Sequence, residues 1–102
     1  MVDFDPDNDP RLIRSIECGL LDVAEETRAL VPETEWRDAL HRHLHLDFGD
    51  QGLNAWIGNL FGIAFLGAGI VVSSYPTSIG RSLKIHTDLE RGETRVFLEE
   101  PA

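Results

Sequence analysis

Apolar residues are spaced differently before and after residue 70 of the chain. Before it they recur three or four positions apart, which predicts amphipathic helices. The first helix is predicted to begin at Asp9 and Pro10, because aspartate caps free backbone N–H groups and proline suits the first helical position. Gly19 interrupts this segment, which allows one bent helix or two short ones, and Pro32 ends it. Its apolar positions are Leu12, Ile13, Ile16, Leu20, Leu21 and Ala24.

A further helix is predicted after Thr34, whose hydroxyl suits a helix cap. Its apolar face consists of Trp36, Ala39, Leu40 and Leu44. Residues 51–80 then contain no charged side chain. Within them, Leu53–Leu66 is predicted to be a buried helix, weakened by its glycines.

The last third of the chain predicts strands. The β-rich runs are Ile70–Tyr75, Ser82–Thr87 and Thr94–Leu98, with turn residues at Pro76–Gly80 and Leu89–Glu93. Short connections favour antiparallel neighbours. We therefore predict an α+β fold, with N-terminal helices followed by a three-stranded antiparallel β-meander.

Length and composition indicate one small domain. The chain has 102 residues, of which 42% are hydrophobic, so it can bury one modest core. We expect an acidic flexible arm at residues 1–9 and a single α+β domain at residues 10–102. Cys18 is the only cysteine, which excludes an internal disulfide and is consistent with a reducing cytoplasm. We expect this thiol to be inert packing in a helix, and we expect no signal peptide.

The formal net charge of −9 is concentrated in the first half of the chain. Residues 1–50 carry thirteen Asp and Glu against five Arg, whereas residues 51–102 are nearly balanced. Acidic chains repel phosphate, which argues against direct nucleic-acid binding and favours a protein partner with a basic surface. Solubility alone would explain the same charge. The candidate partner-binding residues are Asp3, Asp5, Asp7, Asp9, Glu25, Glu26, Asp88, Glu90 and Arg91.

Three alternating histidines are the strongest candidate for chemistry. In a strand, His43, His45 and Asp47 would point to one side and suit zinc. In a helix only His41 and His45 would share a face, and histidines near a helix C-terminus also interact favourably with its dipole. Structural histidines are therefore the default. A small metal-dependent hydrolase built on His41, His43, His45 and Asp47, with Asp50 close by, stays an alternative.

Other catalytic patterns are absent from the sequence. The acidic arm resembles the start of a calcium loop, but Asn8 and Arg14 stand where that loop needs glycine and glutamate. Ser73 and Ser74 lack the glycine context of a hydrolase nucleophile, and there is no phosphate-binding loop. We expect a non-enzymatic protein without a cofactor.

The uncharged stretch allows two further interpretations. Leu53–Val72 spans twenty residues without charge and contains a Gly58-x3-Gly62 pattern, so a membrane anchor is an alternative. Its four glycines and the lack of a flanking Lys/Arg cluster argue against that. The same segment would also suit a homodimer interface.

Two segments resemble a known family. Arg42-His43, followed three residues later by Asp47-Phe48-Gly49-Asp50, is similar to a recurring Arg-His-x3-Asp-Trp-Gly-Asp motif. The residues that follow the same family's tail in order are Ser73, Tyr75, Gly80, Ile85, Thr87, Arg91, Thr94, Val96, Leu98 and Glu100. Over residues 42–50 and 73–100 the chain thus resembles a family of short bacterial proteins labelled plasmid-related proteins.

The resemblance implies a genetic context, namely a plasmid, phage or integrated element, and a small domain without assigned catalytic residues. The chain departs from the pattern where Phe48 replaces tryptophan, where Lys84 and His86 interrupt an apolar strand, and where Glu99 replaces proline. The residues of the motif also support a prediction that does not depend on the resemblance. They predict a tight turn with Phe48 in the core and an ion pair between Arg42 and a turn carboxylate.

The first hypothesis is therefore an acidic protein-binding module from a mobile element. Its concrete form is an anti-defence inhibitor, which places carboxylates where a nucleic-acid-binding host complex expects phosphates. The metal-dependent hydrolase and the membrane protein are its alternatives.

Overall fold

The computed structural model describes residues 15–63 and 69–100. The predicted acidic arm at residues 1–9 lies outside them. The chain forms three helices and four strands over this part. In chain order they are β1 (Leu20–Val23), α1 (Glu25–Leu30), α2 (Glu33–Leu44), α3 (Leu53–Phe61), β2 (Ile70–Tyr75), β3 (Leu83–Asp88) and β4 (Glu93–Leu98).

The strands form one mixed sheet in the order β1-β4-β3-β2. The three C-terminal strands pair antiparallel within a residue of the predicted bounds, whereas β1 pairs with β4 in parallel. The prediction of N-terminal helices followed by a three-stranded antiparallel meander is therefore wrong, because the N-terminal segment supplies a fourth strand.

Pairing with β4 overrides the helical spacing that predicted a helix through Leu20–Val23. The N–H of Leu20 donates to the Gly92 carbonyl oxygen at 2.9 Å, and the N–H of Ala24 donates to that of Val96 at 2.8 Å. Gly19 lies in the left-handed region at φ +64°, and a Cβ there would stand 2.0 Å from the Gly92 oxygen. Glycine thus turns the chain onto the sheet edge, since only a residue without a side chain fits.

The helices cover one face of the sheet around the main core. Inward positions alternate with outward ones along β3 and β4, as expected for a sheet with one covered face. The buried residues of this core are Val23, Val31, Trp36, Ala39, Tyr75, Leu83, Ile85, Val96 and Leu98. The predicted cap at Thr34 is wrong, because α2 begins one residue earlier, at Glu33, with Pro32 as its N-cap.

A second core forms around the Asp47–Asp50 turn. Phe48 is fully buried against Ile63 and Val71, which confirms the predicted aromatic anchor. Gly49 has φ +68°, and Asp47 Oδ1 accepts a hydrogen bond from its N–H at 3.2 Å. The turn also pairs with β2: the Ser74 carbonyl oxygen accepts from the N–H of residue 50 at 2.7 Å, and the Ser74 N–H donates to the residue 48 carbonyl oxygen at 3.1 Å. The turn therefore covers part of an otherwise free sheet edge.

The prediction of a buried helix over Leu53–Leu66 is also wrong. Helix α3 ends at Phe61, and residues 64–68 lie outside the described residues. Only Asn59 of the nine α3 residues is buried. Its side-chain amide donates to the Val72 carbonyl oxygen at 2.7 Å, and its amide oxygen accepts from the Val72 N–H at 3.1 Å. Asn59 thereby binds α3 to the edge of β2 through the N–H and C=O groups of Val72, the kind of backbone groups that a further strand would pair with.

Replacing Thr27 with valine should stabilise the protein. Thr27 is fully buried in α1, and its hydroxyl has no hydrogen-bond partner among the described residues. Removing an unpaired buried hydroxyl while keeping the side-chain shape should raise the free energy of unfolding by about 1 kcal/mol. Urea denaturation at an unchanged m-value measures it. The control, Thr27→Ser, keeps the hydroxyl and should be destabilising, and a loss of stability in Thr27→Val would contradict the prediction.

Candidate functional site

A chain of buried hydrogen bonds joins α2 to three strands. His43 Nδ1 lies 2.5 Å from the Ser73 hydroxyl on β2, and its Nε2 lies 2.8 Å from the Thr87 hydroxyl on β3. Thr87 and Thr94 are 2.8 Å apart through their hydroxyls, and Thr94 donates to the Cys18 carbonyl oxygen at 2.6 Å. The four side chains are at most 1% exposed. We call them the polar chain.

The last acceptor fixes the direction of every bond in the polar chain. A carbonyl oxygen can only accept, so Thr94 donates to Cys18 and accepts from Thr87. Thr87 has then used its single proton and accepts from His43 Nε2–H. His43 Nδ1 is therefore unprotonated and accepts from Ser73. This arrangement requires a neutral imidazole with its proton on Nε2.

Burial favours the same protonation state. Burial, with a smaller contribution from the nearby His86, lowers the pKa of His43 to about 4. A protonated His43 would be a buried charge whose hydrogen-bond partners are neutral hydroxyl groups. His43 is thus neutral at pH 7.

The Ser73–His43 pair has the spacing of a nucleophile and its general base. Both residues are fully buried, however, so a substrate cannot reach the hydroxyl. We interpret the polar chain as a device that sets the position of α2 on the sheet, because each member satisfies its neighbour. Polar residues at inward strand positions were the available signal for it in the sequence.

The histidines and Asp47 do not converge on one point. His41 and His45 share a helical face, as expected for a helix, with ring centroids 4.2 Å apart, whereas His43 points into the core. Asp47 instead accepts a hydrogen bond from Arg42 Nε at 2.8 Å, which confirms the predicted ion pair and lowers the pKa of that carboxyl. Among residues 15–63 and 69–100, no group of three His, Cys, Asp or Glu side chains could hold a metal ion.

The sequence predicted that Cys18 lies in a helix, and this prediction is wrong. Cys18 lies just before β1 and is partly buried, and its carbonyl group closes the polar chain.

The predicted partner-binding residues that the structure describes lie in two places, at opposite ends of β4. Glu25 and Glu26 begin α1 beyond the end of β1, where Val23 pairs with Val96 of β4. Asp88 ends β3 and Glu90 lies in the turn that follows it, at the opposite end of β4. There Asp88 Oδ1 accepts from the backbone N–H groups of residues 90 and 91, both at 3.1 Å.

These residues also differ in their ion pairs. Glu26 pairs with Arg81, and Arg91 Nε lies 4.0 Å from Glu93 Oε2. The aspartates at positions 3, 5, 7 and 9 lie outside the described residues. The structure therefore does not join the predicted residues into one described surface.

An exposed apolar stripe lies on α3, in the segment for which the sequence allowed a buried helix, a membrane anchor or a homodimer interface. Leu53, Ile57 and Leu60 recur at helical spacing on one face and are 75%, 56% and 43% exposed. We call these three residues the outer stripe. The opposite face carries Trp56, which packs on Phe48 with ring centroids 4.7 Å apart. Because α3 is apolar on both faces, its sequence pattern did not show which face would be exposed.

The membrane alternative rested on Leu53–Val72. Within the part of the chain that the structure describes, no helix has both the length and the apolar character needed to cross a bilayer. The described residues of this segment belong mainly to α3 and β2.

Comparison of the chain with protein-family models, curated proteins and solved structures gave no significant match. The resemblance to plasmid-related proteins stays a prediction.

Proposed function

We propose that this chain is a non-enzymatic protein-binding module that uses the outer stripe to contact its partner. The exposure of Leu53, Ile57 and Leu60 carries the proposal. Exposed apolar surface costs free energy in water, and contiguous patches of it mark interaction surfaces on small proteins. The stripe belongs to a stretch without charged side chains, so docking there desolvates no charge of that stretch.

Charge indicates the kind of partner. Six of the seven described Lys and Arg side chains lie within 4.0 Å of a carboxylate, each with a different one. Eight of the fourteen described Asp and Glu side chains have no such cation. The surplus negative potential favours a partner with an apolar groove bordered by basic residues. The concrete form of the proposal is that this chain acts as an anti-defence inhibitor, which covers the nucleic-acid-binding surface of a host complex.

The test is a pull-down from lysate of the native host, followed by affinity measurements with the purified partner. The variant Leu53→Gln/Ile57→Gln/Leu60→Gln removes the apolar surface without adding charge. If each side chain contributes about 1 kcal/mol, Kd should rise roughly a hundredfold. The matched control Leu20→Gln/Leu30→Gln/Ile79→Gln removes exposed apolar residues elsewhere and should bind normally.

Three results would count against this proposal. Equal affinity of the stripe variant and the control would remove the outer stripe from the interface. A homodimer that the stripe variant abolishes would show that a second copy occupies the stripe, and light scattering detects it. Affinity that does not fall with added salt would contradict the basic partner.

A further inference from the structure

The face of the sheet opposite the helices carries a compact block of cationic and aromatic side chains. Cross-strand register places Lys84 beside Phe97 and His86 beside Arg95. Val72 lies next to His86 on the other side. Outward positions two residues apart share a face, so these five side chains cluster on one surface.

This cluster lines an open groove of about 680 Å³. Its volume lies within the range of small-molecule sites. Glu26, Glu99 and Glu100 form part of its border, together with Gln51. We call it the sheet groove. The sheet groove thus brings together two basic side chains, Lys84 and Arg95, in a protein whose net charge is −9.

Both cations in the sheet groove are held loosely by their own carboxylates. Lys84 Nζ lies 3.9 Å from Glu99 Oε1, and Arg95 Nε lies 3.9 Å from Asp22 Oδ2. These distances exceed those of a charge-assisted hydrogen bond. The N–H groups of Lys84 and Arg95 are therefore available to a closer anion.

Phe97 holds the Arg95 guanidinium in place. The Arg95 Cζ atom lies 5.3 Å from the Phe97 ring centroid, within the range of a cation–π contact. His86 meets the same ring edge-on, with centroids 4.9 Å apart. The planar N–H fork of a guanidinium suits the two oxygens of a carboxylate.

The remaining lining limits the ligand to a small anion of low charge. Val72, Ala24 and Leu98 supply apolar surface beside the cations. The border carboxylates repel polyanions such as nucleic acid. His86 adds little positive charge, because burial and then Lys84 and Arg95 lower its pKa.

We propose that the sheet groove binds a small monocarboxylate with an apolar body. Lys84 and Arg95 hold the carboxylate, and Val72 and Phe97 contact the body. A free organic acid and the C-terminus of a peptide share this chemistry. The proposal uses the face of the sheet and not the outer stripe of α3, so either proposal can fail without the other.

The experiment is an NMR titration of the isotope-labelled full chain with two pairs of probes. Hexanoate is compared with hexan-1-ol, and a short apolar peptide with a free C-terminus is compared with its amidated form. The charged probe of a pair should shift the amide signals of residues 72, 84, 86, 95 and 97, and its neutral partner should not. A bound carboxylate should also raise the pKa of His86, which the ring signals report.

Arg95→Lys tests the guanidinium fork. It keeps the charge and should weaken carboxylate binding about tenfold. Arg37→Lys is the matched control, because Arg37 lies on α2, away from the groove, but has similar contacts. Its Cζ atom lies 4.9 Å from the centroid of the Trp36 ring, and its guanidinium pairs with Glu33. Lys84→Met is a second variant, in case Arg95→Lys alters the fold.

The outcomes separate the two ligand sources. A response to hexanoate alone supports a free acid, and a response to the peptide alone supports a C-terminus. No response to either charged probe would overturn the proposal, as would equal responses to the neutral partners. Unchanged affinity for the carboxylate in both Arg95→Lys and Lys84→Met would overturn it too. So would oligothymidine that shifts the same amide signals and binds more tightly than hexanoate.

Discussion

The free energy of unfolding should fall by about 3 kcal/mol as the pH is lowered from above 6.5 to about 4, owing to His43. Above pH 6.5 this histidine is neutral in both the folded and the unfolded chain, so its full contribution is present. Between the two pH values the unfolded chain binds a proton that the folded chain does not. Below about pH 4 the folded chain binds it as well, and the loss stops growing.

Urea denaturation at intervals between pH 8 and pH 4 measures this loss, and NMR of the His43 ring in the folded chain measures its pKa directly. His86 contributes in the same direction, because burial also lowers its pKa. The variant His86→Gln separates the two and should keep most of the slope. The variant His43→Leu should lose most of the slope, whatever its absolute stability. A normal His43 pKa in the folded chain would contradict the prediction.

Phe48→Ala should cost about 4 kcal/mol of unfolding free energy. The ring is fully buried between Ile63 and Val71 and contacts Trp56 edge-on. Alanine would leave a cavity at the centre of the second core. The same change would loosen α3, whose Trp56 uses Phe48 as its packing surface.

Thermal or urea denaturation gives the loss, and Trp56 fluorescence reports the loosening of α3. The control is Phe97→Ala, which removes the same ring from the partly exposed open face of the sheet and should cost much less. Similar losses in the two variants would contradict a central role for Phe48 in the core. The two cores are separate clusters, so the effects of Phe48→Ala and of Thr27→Val should add.

The candidate surfaces differ in how far they were predictable. The acidity that suggests a basic partner is a property of composition and was predictable from the sequence alone. The sheet groove was not, because Lys84, His86, Arg95 and Phe97 form one surface only once β3 and β4 pair in register. The separation of Glu25 from Glu90 likewise depends on the direction of β1 and β4, which short-range patterns do not contain.

The sequence by itself determined the local structure that short-range chemistry controls. Short β-rich runs bounded by turn residues set the strands near Ile70–Tyr75 and Glu93–Leu98, and the Asp47–Asp50 motif set a turn with Phe48 buried. These features depend on neighbours a few residues apart.

Only the tertiary structure decided the conformation of Leu20–Val23, the exposure of α3 and the polar chain around His43. Leu20–Val23 carries a helical pattern, yet hydrogen bonds to β4 outweigh it. Helix α3 is apolar on both faces, so its orientation depends on Asn59 binding the edge of β2. His43 becomes a core residue because Ser73 and Thr87 satisfy both ring nitrogens, and these partners lie 30 and 44 residues away in the chain. Local patterns do not contain such long-range pairings, because their free energy arises only when the whole chain has folded.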